Sequence, residues 1–236
     1  MKYENLARLH IGEESLRLRA LTLIGEDSSL DLHVKIIQTT MDFSDLLRMI
    51  ETNHEDLKVI QLFSIRIFNA FATSFKLALA GYGQNSALVM RDIMETVFLL
   101  DMFQSKPEII TTWRLADEKR RKAEFGPIHV RKFLDDRDGL TSMKRAERYK
   151  LFSELASHPP MKSQYMLRPD RDGDSVVGPF ISKSSLEAVI SEMGRLAMEA
   201  CECLVVFFPE PWLRTSGEFA KYQELHKQWF STFYPK

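Results

Sequence analysis

Residues 86–103, SALVMRDIMETVFLLDMF, are apolar around most of the circumference that they would have as an α-helix. A helix of this kind is usually central in a bundle, because it leaves no broad polar face for contact with water. The sequence GYGQN at residues 81–85 breaks the chain just before this segment. The segment therefore predicts a fold in which other helices surround a central one.

The segments on either side carry helical signals of the same kind. In residues 53–80 the apolar positions recur at helical spacing; they are Leu57, Ile60, Phe63, Ile67, Phe71 and Ala78. Several segments are preceded by candidate caps; these are Ser28 with Asp31, the capping box Ser105-Lys106-Pro107-Glu108, and Ser184 with Glu187. These signals predict an all-α fold, a bundle of about eight helices. A small loop or hairpin is expected near residues 161–181, where the apolar runs become short and extended.

The C-terminal part differs in character from the rest of the chain. Pro209 and Pro211 end the preceding helix, so we expect a helical bundle domain at residues 1–208 and an aromatic amphipathic helix at residues 209–236. Trp212 and Trp229 lie in this part, together with five other aromatic residues. Such a helix has to bury its aromatic face, either on its own bundle or on a second subunit. A homodimer through the C-terminal helix is therefore one of two interpretations.

Composition and charge are those of an ordinary globular protein. Of the 236 residues, 44% are hydrophobic and 28% are charged, and the formal net charge of -1 excludes nucleic-acid binding driven by the charge of the whole molecule. The first residues are charged throughout, unlike a signal peptide, and the apolar runs are shorter than the roughly 20 residues of a membrane span. Cys201 and Cys203 form no disulfide framework. We expect a soluble, cytoplasmic protein that makes no membrane contact.

Polar residues at helical spacing interrupt these apolar segments. Arg91 and Glu95 are four residues apart in the central segment and so share one helix face, where a buried charge needs a partner. Tyr149 and Ser153 repeat this spacing in a second helix, and His158 follows that helix. We expect these five residues to form a polar ligand-binding pocket between two helices. The alternative is a structural Arg–Glu clamp, with His158 as a favourable residue at a helix end.

The same residues carry a resemblance to a known family. The helix with Arg91 and Glu95, followed by the pattern Tyr-x-x-x-Ser-x-x-x-x-His-Pro at residues 149–159, resembles an uncharacterised bacterial family of all-helical proteins, a domain of unknown function. The likeness includes the stretches MLRPDRDGD and GPF and spans about residues 63–208. It implies an all-helical fold and no established reaction.

Two classes of function fit these residues. The leading hypothesis is a binding or interaction module with a polar pocket, for which stress response or defence is one setting. The alternative is a phosphodiester-hydrolysing, RNase-like enzyme related to the HEPN ribonucleases, with His158 as the candidate catalytic acid or base. HEPN enzymes use an arginine and a histidine only a few residues apart. Here nine residues separate Arg148 from His158, and seven separate Arg121 from His129.

Residues 114–150 are locally basic, with 12 Lys or Arg and 7 Asp or Glu. A cationic rim there would suit a phosphate-containing ligand or RNA; its members would be Arg120, Arg121, Arg131, Lys132, Arg145 and Arg148. The other interpretation is a solvated face on which cations alternate with acids. The metal-binding motif HExxH and a pair of Glu-x-x-His motifs are both absent from the sequence. We therefore predict no metal and no cofactor.

Overall fold

The computed structural model of the chain describes residues 4–140, 144–157, 161–169 and 173–235. This part contains eleven α-helices, one π-helical segment and one 3-10 helix, and it contains no strand. In chain order these are α1 Glu4–Glu26, α2 Ser28–Arg48, α3 Glu55–Leu79, α4 Gly83–Ser105, α5 Glu108–Leu115, α6 Glu118–Phe125, α7 Pro127–Arg137, α8 Lys144–Phe152, the π-helix Ser153–Ser157, the 3-10 helix Met161–Leu167, α9 Lys183–Val205, α10 Glu210–Thr215 and α11 Gly217–Phe233. The all-α class is confirmed, and the expected number of about eight helices is too low.

The extra helices arise largely between α4 and α8. Asp117 accepts a hydrogen bond from the backbone N–H of Arg120 and so caps a new short helix, α6. Gly126 and Pro127 then end α6 and start α7, because proline fits the first turn of a helix, where its missing N–H is not needed. Three short helices therefore cover one side of α4.

Four helices, α2, α3, α4 and α9, form the core. α4 packs against both α3 and α9, and it also contacts α7 and α8. Its side chains at Met90, Ile93, Met94, Leu100 and Phe103 are essentially inaccessible to water. α4 therefore occupies the central position that its apolar circumference predicts.

Buried hydroxyl groups join the core helices. The hydroxyl oxygens of Ser74 on α3 and Ser86 on α4 are 2.9 Å apart, and the Ser86 hydroxyl also donates to the carbonyl of Ser74. On the other side of the core, the hydroxyl of Thr40 on α2 donates to the carbonyl of Ala197 on α9 at 2.8 Å. These hydroxyls can stay buried because each has a hydrogen-bond partner.

Two of the expected helix starts differ in the structure. Asp27, rather than Ser28, caps α2, since its carboxylate accepts from two backbone N–H groups of the first turn. α5 begins at Glu108 without any side-chain cap. Ser105 still belongs to α4, and its hydroxyl donates to the carbonyl of Asp101 at 2.7 Å, so it is not available to cap α5.

The start of α9 also differs from the expected one. A capping box does precede this helix, but it consists of Ser182 and Ser185 rather than Ser184 and Glu187. Because three serines lie close together, the sequence fits more than one register, and only the packed structure selects the earlier one.

Residues 161–181 form the expected loop rather than a hairpin, as far as they are described. The 3-10 helix Met161–Leu167 opens the segment, and the backbone N–H of Val176 donates to the carbonyl of Leu167 at 2.9 Å. Farther along, the N–H of Phe180 donates to the carbonyl of Gly81 at 3.1 Å. This last bond attaches the loop to the turn between α3 and α4.

One described helix, α3, is long and apolar enough by length and composition to cross a membrane. In the fold, α3 packs against α2, α4 and α9, and 39% of its most apolar window is buried inside the protein. Core helices of soluble proteins meet the same criterion, so the structure is compatible with a soluble protein.

The C-terminal helix α11 packs against α2 of its own chain. Tyr222 and Trp229 are buried, whereas Phe230 and Tyr234 remain partly exposed. The aromatic face of α11 is thus largely covered within one chain, and the homodimer interpretation stays a prediction.

The two cysteines are buried free thiols on α9. Burial raises the pKa of both the Cys201 and the Cys203 thiol above the ordinary value. Both groups therefore stay in the unreactive thiol form in the folded protein.

Candidate functional site

Three of the five expected site residues meet between α4 and α8. The Tyr149 hydroxyl donates to Glu95 Oε1 at 2.7 Å and accepts from Arg91 Nε at 3.1 Å. Arg91 Nε also lies 3.4 Å from Glu95 Oε1, so the two α4 side chains form an ion pair. All three side chains are half-buried, and burial together with the bond to Glu95 raises the pKa of Tyr149. The arrangement fixes α8 to α4.

A fourth residue, Arg131 on α7, completes this cluster. Its guanidinium carbon lies 4.0 Å from the centre of the Tyr149 ring, and that of Arg91 lies 4.9 Å from the same centre. Both distances are typical of cation–π contacts. Arg131 is buried, and its Nη1 atom has no hydrogen-bond partner among the described residues. Arg131 therefore belongs to the interior, although the sequence suggested a position on a cationic rim.

The other two expected residues have different outcomes. The Ser153 hydroxyl donates to the carbonyl of Tyr149 at 3.0 Å, at the point where α8 passes into the π-helix Ser153–Ser157. Gln84, near the start of α4, donates to the carbonyl of Leu155 at 3.4 Å and so holds this π-helix. His158 lies outside the described residues.

An open polar cleft of about 500 Å³ lies farther along α4, between α4, α7, α8 and α9. We call this space the polar cleft; its charged lining consists of Asp101, Arg137, Lys144, Arg145, Arg148, Glu199 and Glu202. Arg148 directly precedes Tyr149 on α8. This helix therefore presents Tyr149 to the cluster and Arg148 to the cleft. The polar cleft thus adjoins the cluster through α8.

Arg148 and Glu199 form the central ion pair of the polar cleft. Arg148 Nη1 donates to Glu199 Oε1 at 2.5 Å. Arg148 Nη2 is buried without a hydrogen bond among the described residues, and Glu192 Oε2 lies 3.7 Å from it. Burial raises the pKa of Glu199, and the positive charge of Arg148 opposes this effect. Glu199 thus holds the Arg148 guanidinium in place through Nη1, while Nη2 makes no hydrogen bond among the described residues.

Arg137 and Arg145 form the wall of the polar cleft. Arg137 binds Asp101 at 2.6 Å and Asp138 at 2.6 Å, and Arg145 binds Asp135 at 2.8 Å and also reaches Asp138. Hydrogen bonds from Arg137 and then Arg145 lower the pKa of Asp138 to about 2. Both guanidinium groups are therefore held in fixed orientations before any ligand binds.

Three other cations of residues 114–150 are paired with neighbouring groups. Arg120 binds Glu124 on the next turn, and Lys132 binds Asp136 in the same way. Arg121 donates to the carbonyl of Ala116 at 2.7 Å and stacks on Trp113. Within the described residues 114–140 and 144–150, four cations line one open space together; they are Arg137, Lys144, Arg145 and Arg148.

Sequence reasoning missed Asp101, Arg137 and Glu199 as members of a site. They lie on three helices, α4, α7 and α9, and no local motif links them. Glu199 and Glu202 offer the one usable signal, because they are the two carboxylates within the otherwise apolar stretch LAMEACECLVV. Arg131 offers a similar signal, since it precedes buried Leu134 by three residues and so shares its helix face.

The described part of the chain brings together no group of three His, Cys, Asp or Glu side chains that could hold a metal ion. Comparisons of the chain with protein-family models, with curated proteins and with solved structures find no match. The resemblance to an uncharacterised helical family therefore stays a prediction, and the site has to be interpreted from its own geometry.

Proposed function

We propose that the protein is a binding module that takes a small phosphate-bearing ligand in the polar cleft. The observation that carries this proposal is Arg148, which lines the cleft and whose buried Nη2 atom makes no hydrogen bond among the described residues, with Glu192 3.7 Å away. A buried donor without an acceptor is unfavourable, so an oxygen atom of a ligand would stabilise it. Arginine matches phosphate well because its planar fork can donate two parallel hydrogen bonds.

The surrounding charges support this choice of ligand. Arg145 and Arg137 line the same space with fixed guanidinium groups, and Lys144 stands at the exposed edge. Because these arginines are already oriented by acids, a ligand loses little side-chain entropy when it binds. A phosphate that binds Arg148 would compete with Glu199 for the guanidinium group. Because the pKa of Glu199 is raised, this carboxyl group takes up a proton more easily and can then release Arg148.

The cluster of Arg91, Glu95 and Tyr149 has a positioning role in this proposal. It ties α8 to α4 and so fixes where Arg148 enters the polar cleft. The π-helix that follows α8 fits such a role, since π-helical turns are often found at functional sites. The expected pocket residues would then act through Arg148 and not by touching the ligand.

Titration of the full chain with inorganic phosphate and with adenosine monophosphate, followed by calorimetry, tests the proposal. We expect saturable binding that weakens at least tenfold in Arg148→Gln, the change that about 1.4 kcal/mol produces. The matched control is Arg120→Gln, which removes an exposed arginine paired only within its own helix. Equal affinities in the wild type and Arg148→Gln, or no binding of either probe, would reject a phosphate site in the polar cleft.

A second candidate function, phosphodiester hydrolysis, is favoured by Glu199. A carboxyl group with a raised pKa next to an arginine in a cleft is a typical acid–base pair for catalysis. Hydrolysis of bis(p-nitrophenyl) phosphate and of single-stranded RNA would test it. An enzyme should lose turnover in Glu199→Gln while it keeps its affinity for phosphate, and His158→Ala tests the histidine that the sequence suggested. If the wild type shows no turnover, hydrolysis is rejected and ligand binding remains as the proposed function.

A further inference from the structure

A second cavity, separate from the polar cleft, lies at the opposite end of α9. It has a volume of about 400 Å³, within the range of about 300–1,000 Å³ that is usual for small-molecule sites. We call it the apolar cavity; its lining includes Ala78, Met166, Phe180, Ile181, Leu186 and Val189. These residues belong to α3, to α9 and to two further stretches, residues 164–169 and 180–181, which cover the cavity.

Backbone contacts attach this cover to the turn between α3 and α4. The Phe180 N–H donates to the Gly81 carbonyl, and Gly81 has a φ of 88°, in the region that favours glycine. A Cβ atom at Gly81 would lie 2.8 Å from the Phe180 nitrogen, so this close approach requires glycine. The Val176 N–H donates to the Leu167 carbonyl and closes the loop on itself. These backbone bonds fix the segments that line the cavity, so the cavity is a regular feature of the folded chain.

Among the described residues that line the apolar cavity, Arg168 is the one with a charged side chain. Its Nη2 atom donates to Gln164 Oε1 at 3.0 Å, which orients the guanidinium group. Its Nε atom is buried and has no hydrogen-bond partner in the described part of the chain. A half-buried cation whose buried Nε atom has no acceptor, next to apolar walls, calls for an anionic oxygen atom from outside the chain.

The apolar space continues beyond this cavity. Met166, Ala188 and Val189 also line a groove of about 530 Å³ that runs on along α9. Leu151 and Leu155 line the groove from the side of α8 and the π-helix. Four charged residues also line the groove, although most of its exposed lining is apolar; they are Arg148, Glu192, Arg195 and Glu199. Because the two spaces adjoin along α9, they fit a linear chain better than a compact ring.

We infer that the apolar cavity binds an amphipathic carboxylate with a linear alkyl tail, such as a fatty acid. The carboxylate accepts hydrogen bonds from the Arg168 guanidinium, including its unused Nε donor. The alkyl tail lies on Met166 and Val189 and extends toward the groove along α9. The apolar cavity shares no lining residue with the polar cleft, whereas the groove beyond it shares Arg148 and Glu199. The carboxylate site at Arg168 therefore does not depend on the function proposed above.

Dodecanoate, used below the concentration at which it forms micelles, is the probe for this site. Calorimetry on the full chain should show saturable binding with one molecule per chain. Dodecanol, which has the same tail without the charge, should bind at least tenfold more weakly, and Arg168→Gln should reduce the affinity for dodecanoate to a similar degree. Equal binding of dodecanol and dodecanoate to the wild type would overturn the assignment without any variant, as would the absence of saturable dodecanoate binding.

A second variant tests where the alkyl tail of the bound dodecanoate lies. Ala188 lines both spaces and is exposed, so Ala188→Trp should fill them without disturbing the core. We expect it to abolish dodecanoate binding and to leave phosphate binding unchanged. The matched control is Ala220→Trp on the exposed face of α11, which should bind dodecanoate like the wild type. Unchanged dodecanoate binding in Ala188→Trp would overturn the inference.

Discussion

The indole Nε1 of Trp229 donates a hydrogen bond to Nδ1 of His33 at 3.1 Å, although 196 residues separate the two in sequence. Both side chains are 2% exposed, and the Phe233 ring stacks on His33 with the ring centres 4.1 Å apart. Because Nδ1 accepts this hydrogen bond, His33 is held as a neutral imidazole. The contact joins α11 to α2 through a group whose protonation would break it.

The free energy of unfolding should therefore fall in mild acid because of His33. Burial, and next the charge of Arg195, lowers the pKa of His33 from 6.5 to about 4, while Asp27 opposes the shift. The unfolded chain then binds more protons than the folded one between about pH 6.5 and pH 4, so stability is present above this window and is lost as the pH falls through it. From about pH 7.5 to about pH 5 the expected loss is on the order of 2 kcal/mol.

Urea unfolding at the two pH values measures this loss. His33→Gln, which has no imidazole, should show a pH dependence that is smaller by about the same amount. The control His54→Gln removes an exposed histidine. If His33→Gln keeps the full pH dependence of the wild type, His33 is not the group responsible.

Gly194 on α9 allows His33 to approach closely, so Gly194→Ala should destabilise the protein. A Cβ atom at this position would lie 2.7 Å from Cγ of His33, and the imidazole would have to move away from Trp229. Overpacking of this kind lowers the free energy of unfolding by about 1–3 kcal/mol. Gly12→Ala on α1 is the matched control, because a Cβ atom there meets nothing within 4 Å. It should stabilise the helix by about 0.5–1 kcal/mol. Thermal unfolding distinguishes the two variants by sign.

Trp229 should contribute more to stability than any exposed aromatic residue of the same helix. Trp229→Ala removes a buried indole and its hydrogen bond, and we expect a loss of about 3–5 kcal/mol in the free energy of unfolding. Tyr234→Ala, at a partly exposed ring, should cost far less. Similar losses in the two variants would contradict the packing of α11 described above.

Light scattering tests the homodimer interpretation of the same helix. Because α11 covers its aromatic face on its own chain, we expect a chain that ends at residue 211 to show the same oligomeric state as the full chain. A change from dimer to monomer on truncation would support α11 as a subunit interface instead.

Tyr149→Phe should weaken the attachment of α8 to α4. The substitution removes the hydroxyl that joins Glu95 and Arg91, and since these groups are half-buried we expect a loss of about 1 kcal/mol. A double-mutant cycle with Glu95→Gln should show that the two losses are not additive. Tyr165→Phe, at an exposed ring, is the control. Additive losses would show that the hydrogen bond contributes nothing measurable.

The sequence predicts the helices well because their signals are local. The apolar circumference of α4 and the spacing of Arg91 and Glu95 depend only on neighbours along one helix. The meeting of these two residues with Tyr149 also follows from simple reasoning, since buried charges need partners. Register at helix ends is less certain, as the choice of Asp27 over Ser28 illustrates.

The polar cleft and the apolar cavity could not be predicted in this way. Both depend on the distances between helices that are far apart in sequence, and no periodicity encodes such distances. Arg148 and Arg131 look alike in sequence, yet one faces open space and the other lies under an aromatic ring. Arg168 differs from them only through the cavity that surrounds it.

The buried thiols of Cys201 and Cys203 give the molecule a built-in reporter. An alkylating reagent meets Cys201 only when α9 separates from the core, since this thiol is fully buried and protonated in the folded state. Cys203 is 7% exposed and lines the polar cleft, so Cys201 is the thiol to follow. When opening and closing are fast relative to labelling, the labelling rate measures the fraction of open molecules. Mass spectrometry of the labelled chain can thus rank variants by stability in native buffer, without urea or heat.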